Sequence, residues 1–341
     1  MPSRKEINQN KTNGILLFAK KPGPTSFSAI GSVKRGLGTT KVGHTGTLDS
    51  FAQGLLVVCI GSLTKLAGNI TAFNKSYKAV IKFGQETDTL EFTGKTVKTA
   101  PLPSKEALEK AVKKYTGKIM QTPPLFSAIH INGKRASELA REGKTETLPA
   151  RPVTVYNAEI EEVKLTDKNL VEYALINFEV SKGTYIRSLA RDIAAECGSA
   201  AHLTGLFRTK VGEFKIENAA GFSFLKDFSI DNSIKTAEKF MKNNLPPEKD
   251  TEELYEQIRS HLLDLDEKTA ALCGFKTAVI SDENAENDFK NGKKLLKSMF
   301  QNDIINFPAD TQIAVFNQKN NFIGLIWINE QKKLSYKFVL N

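Results

Sequence analysis

The chain has 341 residues, 40% apolar and 25% charged, enough for two globular domains and too rich in core residues for a disordered tail. Its net charge of +10 is uneven: residues 1–60 carry eight Lys or Arg against two acids, Glu6 and Asp49, whereas residues 231–270 carry ten acids against six bases. No run of 18 apolar residues is present, the stretch MPSRKEINQNKTNG has no apolar signal segment, and three scattered cysteines fit a reducing compartment; a membrane span and a disulfide framework are excluded, and a cytoplasmic protein with a polyanionic partner is expected.

The first element is a short strand from Ile15 to Phe18, broken by Pro22 and Pro24. Thr25 or Ser26 can cap a helix running to Leu37, with Phe27, Ile30, Val33 and Leu37 at helical spacing and Gly38 as its stop. The loop GHTGTLDSFAQG (43–54) follows, then a buried-strand run, LLVVCIG. From Ser76 to Phe83 the period becomes two, with Tyr77, Ala79, Ile81 and Phe83 on one face. GQETDTLEFTG supplies turn residues, and Ser104 to Tyr115 reads as a helix closed by Gly117. Residues 121–151 form a long basic insertion without an apolar stripe. A strand over 171–180 precedes a helix with Thr184 as its expected N-cap and Ile186, Leu189, Ala190, Ile193, Ala194 and Cys197 on its inner face. Residues 229–270 read as an acidic helical linker, and from 271 the pattern returns to strands, ending in a meander with turns near Asn320 and Gln331. The class is α+β with a small β-rich tail.

Asp49 is the only acid between Glu6 and Glu86. Beside Gly and Ser it can be an ordinary turn residue. The two glycines before it and the apolar strand after it also suit a catalytic carboxylate on an anchored loop. Arg187, with Lys182 close by, falls at a helix N-terminus, where a cation is disfavoured unless an anion joins it; a solvated arginine is the alternative. Tyr77 is either a core tyrosine or a stacking platform for a base, and His44 either a turn histidine or a wedge beside a nucleobase. The histidines and cysteines have no zinc spacing.

Five ordered blocks carry a resemblance: KPGPTS (21–26), GHTGTLDSFAQGLLVVCIGSLTK (43–65), YKAVIKFGQETDTLEFTG (77–94), QTPPLFSAIHINGKRASELAREG (121–143) and KGTYIRSLARDIAAECGSAAHLTGLFRTKVGEF (182–214). Together they make the chain similar to the TruB family of pseudouridine synthases, which convert uridine 55 in the T-arm of tRNA. The resemblance implies a mixed, mainly antiparallel sheet with flanking helices over residues 1–228, a thumb loop near 121–151, and a PUA-like β domain over 271–341 after the 229–270 linker. It implies Asp49 as the catalytic carboxylate, Tyr77 as the stacking residue and base, Arg187 as the partner of Asp49, and His44 as the filler of the flipped nucleotide's place. Tyr185 and Leu206 would line the uridine pocket, and Lys21, Lys182, Arg208 and Arg141 would contact RNA. No metal, redox cofactor, ATP or guide RNA is expected, and the enzyme is expected to act as a monomer on tRNA. Lys20 stands where the family usually has an acid, Pro24 where it has glycine, Ser50 where it has proline, and His130 and Ser137 where Lys and Tyr are common. Two other readings use the same features: a non-catalytic RNA-binding protein or chaperone, and a metal-dependent nuclease built on Asp49 and Asp88.

Overall fold

The computed structural model describes residues 13–127, 130–131, 134–135, 148–243, 245 and 250–340. Strands β1 (Gly14–Lys20) and β3 (Gln53–Ile60) run antiparallel, Gly14 opposite Ile60 and Lys20 opposite Gly54. Every residue of both is buried, which is why they read as unbroken apolar runs rather than alternating ones. Leu16, Phe18, Leu56 and Val58 join one core with helix α1 (Ser26–Leu37); Ile15, Leu17, Leu55 and Val57 face a second core on the opposite side. The helix begins and ends where its caps predict. Thr25 accepts from the Ser28 N–H at 3.1 Å, and Gly38, left-handed at φ 62°, turns the chain out.

Strand β2 (Val42–His44) pairs with β3, and a short helix, α2 (Ala67–Thr71), leads into β4 (Lys75–Phe83). Tyr77, Ala79, Ile81 and Phe83 pack on the main core, as the period of two predicts. A hairpin, β5 (Gln85–Thr87) and β6 (Thr96–Thr99), precedes α3 (Lys105–Lys114), capped by Ser104, and β7 (Gly117–Gln121). Two short strands, β8 (His130–Ile131) and β9 (Lys134–Arg135), pair within the insertion. Then come β10 (Arg151–Leu165), β11 (Val171–Val180), α4 (Ile186–Glu196), β12 (Ala201–Val211) and β13 (Phe214–Lys215). The remaining elements are α5 (Ile230–Met241), α6 (Glu252–Ser260), β14 (Leu262–Leu263), α7 (Glu267–Leu272), β15 (Lys276–Val279), α8 (Glu283–Lys290), β16 (Thr311–Phe316), β17 (Phe322–Ile328) and β18 (Leu334–Val339). The main sheet has the order β14-β1-β3-β12-β4-β11-β10-β7, with β2 and β13 attached at its side. Its pairs are antiparallel except β3 with β12, where Gln53 and Gly54 lie opposite Phe207 and Arg208. That parallel junction brings the end of the 43–54 loop against the strand carrying Arg208, whose other neighbour, β4, carries Tyr77.

Three expectations from the sequence are corrected. Residues 229–270 do not form a linker. Ile230 of α5 packs under β4 and β11 beside Val80 and Leu175, and Leu254 and Ile258 of α6 enter the main core against α1. Strand β14 extends the main sheet, with Leu262 opposite Leu16. Asp250 accepts from the hydroxyls of Ser32 and Tyr255, each at 2.6 Å, and pairs with Arg35. Acidic helices pass for solvated spacers in a sequence because their apolar stripes are narrow; here the stripes are filled. Second, the tail is the expected small β-rich domain, with a core of its own around Phe289, Ile313 and Ile326, but it is also packed against the rest of the chain. Its four-stranded sheet, β15-β16-β17-β18, sends Ala314, Phe316 and Leu325 into the core that covers Ile15, Leu17 and Leu55. Third, Thr184 does not cap α4. The N-cap is Tyr185, while the Thr184 hydroxyl donates to the Ser181 carbonyl at 2.9 Å.

Candidate active site

The 43–54 loop is held on three sides by buried groups. The Ser26 hydroxyl donates to the Leu48 carbonyl (3.0 Å) and accepts from its N–H (2.7 Å). The Lys20 ammonium, fully buried, donates to the carbonyls of Ser50 (3.1 Å) and Ala52 (2.6 Å). Arg208, 1% exposed, donates to the carbonyls of Leu55 (2.8 Å), Gly46 (3.1 Å) and Thr47 (3.4 Å). Gly54 makes the close approach possible. At φ +119°, a Cβ there would stand 2.3 Å from the Arg208 carbonyl oxygen, so only glycine lets β3 and β12 meet at this point.

Asp49 lies at the crest of this loop with its side chain 32% exposed, against 6% for Arg187. The guanidinium grips the carboxylate with two nitrogens, Nε to Oδ2 at 3.0 Å and Nη2 to Oδ1 at 3.2 Å. This bidentate geometry is the stronger form of a carboxylate pair. Arg187 also donates to the carbonyls of Thr89 and Phe126, both at 2.9 Å, so it joins α4 to the turn after β5 and to the root of the 121–151 insertion. Its place at the second position of α4 is stabilised by this partner, not by solvent. The helix start is fixed by Gln121, whose amide accepts from the Tyr185 N–H (2.8 Å) and donates to its carbonyl (3.1 Å). That clamp fixes the backbone of the N-cap residue from 64 residues away. Tyr77 sits opposite Arg208 on one neighbouring strand and Phe178 on the other. The carboxylate, the guanidinium and the tyrosine thus come from three distant segments fixed by one sheet. A carboxylate gripped by a guanidinium at a partly dry surface is placed to meet an electrophilic carbon.

The chain is 40% identical to tRNA pseudouridine synthase B of Treponema denticola over 347 aligned positions, covering 95% of each chain. The chain belongs to the TruB family of pseudouridine synthases. The family model described as TruB family pseudouridylate synthase, N-terminal domain, matches residues 34–186. A tRNA pseudouridine synthase B of Borreliella burgdorferi is 42% identical over 230 positions, covering 67% of this chain and 80% of its own. Among solved structures, a Cbf5-Nop10-Gar1 complex contains a chain of the same fold, with a TM-score of 0.62 and 21% identity over 96% of this chain and 84% of that one. This TruB-family chain is therefore an isomerase with the pseudouridine synthase fold.

Within the synthase the other expected residues divide. Tyr185 is half-buried, with its phenol pushed up by burial, and Leu206 is 5% exposed in the main core opposite Ala79. His44 ends β2, and burial followed by the charge of Arg208 pushes its imidazole down, which keeps it neutral at pH 7. Lys182 is exposed, and the Lys21 ammonium stands 5.1 Å from the centre of the Phe224 ring. Arg208 departs from expectation: its guanidinium is engaged by loop carbonyls from beneath, so it is a loop-positioning residue and not a phosphate contact. Arg141 and Ser137 lie outside the described residues, as does the side chain of His130. Among the described residues no group of His, Cys, Asp and Glu is arranged to hold a metal, and no helix is long and apolar enough to cross a membrane.

One member of the site was not legible. Glu91, read as part of a turn, is partly buried beside the Asp49–Arg187 pair, and its hydroxyl donor is Thr93 at 2.7 Å. Burial and the Asp49 carboxylate push its carboxyl up to about 7, against the opposing effects of Thr93 and Arg187. The one sequence signal for it was an acid flanked by Leu90 and Phe92.

Proposed function

We propose that this synthase isomerises uridine 55 in the T-arm of tRNA, with Asp49 as its catalytic carboxylate. The observation that carries the reading is the bidentate Asp49–Arg187 pair, one-third exposed on the carboxylate side and buried on the other. In the reaction the N1–C1′ bond breaks, the ring turns, C5 bonds to C1′, and the proton on C5 is exchanged for one on N1. The atoms balance within the substrate. Asp49, held in place by Arg187, meets the charge that develops as the glycosidic bond opens; Tyr77 stacks on the base and its hydroxyl takes part in the proton step. The target base leaves its stack at a cost of a few kcal/mol, and neutral His44 at the end of β2 is suited to fill the space it leaves. Two relatives bearing the name tRNA pseudouridine synthase B support the choice of RNA.

The test is to incubate the protein with T-arm RNA, without divalent metal, and map pseudouridine along the strand. Conversion at the single loop uridine is expected. RNA that is bound but unchanged would favour a chaperone, and cleaved RNA a nuclease.

A further inference from the structure

Lys75 opens β4 two residues before Tyr77, so both side chains project from the same face of the strand. It is buried, 8% exposed. Its ammonium donates to the carbonyls of Thr71 (2.6 Å) and Phe73 (2.5 Å), at the end of α2. Those bonds take two of its three donors.

The surroundings of Lys75 are cationic. Its neighbours across the sheet are Val211 on β12 and Val180 on β11. Arg208 lies three residues before the first and Lys182 two after the second. Burial, then the charge of Arg208, then that of Lys182 push Lys75 down to about 8. Three like charges gathered on one floor are unfavourable until an anion joins them. Arg208 cannot receive that anion directly, since its guanidinium faces loop carbonyls. Lys182 is exposed, and Lys75 keeps one donor. On the same side a cleft of about 460 Å³ runs past Tyr185, lined also by Thr71, Ala72, Arg151 and Lys182. Thr71, whose carbonyl Lys75 holds, is therefore part of its wall.

We propose that Lys75 and Lys182 hold the phosphodiester next to the flipped target nucleotide, with the adjoining nucleotide entering the cleft between α2 and the sheet. A polynucleotide carries one anion per residue, so a base stacked on Tyr77 brings a phosphate within one step of this floor. The alternative is that Lys75 only caps the carbonyl end of α2, where a cation is favourable without any ligand. The proposal rests on the uridine-isomerising reading above.

The experiment is a thermodynamic cycle between protein and RNA. T-arm RNA is made with a neutral methylphosphonate at either linkage flanking the target uridine, and binding is titrated with the full chain and with Lys75→Met. At one flanking linkage the neutral group should weaken wild-type binding roughly tenfold, the size of one charge-assisted contact. The same RNA change should cost Lys75→Met less than about twofold, because the contact is already gone. The salt slope of binding should also fall by about 0.7 in the variant. A capping role alone would lower the melting temperature and leave the two losses additive at both linkages, which overturns the proposal. If Lys75→Met does not fold, Lys182→Met replaces it, since that side chain is on the surface, and the same loss of additivity is expected. Conversion of the unmodified RNA by the wild type is measured alongside. Additive losses on an RNA that is converted overturn the phosphate contact alone; absence of conversion overturns the isomerase reading on this RNA and the contact with it.

Discussion

Asp49→Asn separates the catalytic reading of the loop from a structural one. The amide keeps the size of the carboxylate and one acceptor oxygen, so the loop, pinned by Ser26, Lys20 and Arg208, should keep its shape. What is lost is the charge. At 3.0 Å the pair with Arg187 amounts to about 5 kcal/mol of gross attraction at an effective dielectric of ~20. Most of that is offset by the water both groups regain on unfolding, and Asp49 is one-third exposed. Arg187 also retains the carbonyls of Thr89 and Phe126. The net cost should therefore be about 1–2 kcal/mol, the low end for a broken charge-assisted pair. In a chain of this size that lowers the melting temperature by only a few degrees. RNA affinity should hold or tighten, because a negative charge near phosphates is gone. Turnover should fall by at least about 10³-fold, since an amide neither attacks carbon nor carries the charge. Pseudouridine formed per enzyme on T-arm RNA is the assay, beside a binding titration and a melting curve. A folded Asp49→Asn protein that binds RNA and turns over at the wild-type rate would refute the assignment.

Tyr77→Phe should keep RNA affinity, since the ring still stacks, and lose most single-turnover rate; unchanged turnover would leave Tyr77 as a platform only. Glu91→Gln tests the buried acid. With its folded pKa raised to about 7 from an ordinary 4.5, Glu91 keeps its proton in the folded state while the unfolded chain loses it, so stability falls as pH rises through that window. The amide should be more stable than wild type at pH 8 by on the order of 2 kcal/mol and equal to it near pH 4, read by denaturant titration at both pH values; a constant difference would contradict the raised pKa. Gly54→Ala should unfold the chain or lower its melting temperature sharply, because the added methyl meets the Arg208 backbone; a melting temperature within a degree of wild type would show that β3 and β12 can part. Deleting residues 271–341 should yield an aggregating product, since Phe275, Ala314 and Phe316 cover Ile15, Leu17 and Leu55; a soluble fragment with wild-type melting behaviour would restore the separable tail.

What the sequence reveals is set by the range of the interactions. The α1 boundaries follow from Thr25 and Gly38, which act within a few residues, and the face of β4 from its period of two. The start of α4 departs from the local signal because the Thr184 hydroxyl is taken by the Ser181 carbonyl, while Gln121, from another segment, fixes the backbone of Tyr185. Residues 229–270 read as a linker because a narrow apolar stripe acquires meaning only from what covers it: Phe240 of α5 packs edge-on against Phe92, which packs edge-on against Phe51 of the 43–54 loop. Arg187 and Asp49 were each legible as anomalies, a cation at a helix start and an acid in a basic region; their pairing came from the family resemblance and not from the local pattern.

The same reasoning explains two departures from the family pattern. Where the family usually has an acid and a proline, this chain has Lys20 and Ser50, and the two positions touch: the buried Lys20 ammonium donates to the Ser50 carbonyl and to that of Ala52. A proline after Asp49 would restrain the loop through its own φ. Serine removes that restraint, and the lysine supplies another by fixing the carbonyls on the C-terminal side of Asp49. Neither change is compensatory when read singly, since one looks like a lost charge and the other like a loosened turn. The Ser50 and Ala52 carbonyls on the C-terminal side of Asp49 are thus fixed by hydrogen bonds from Lys20 and not by ring geometry.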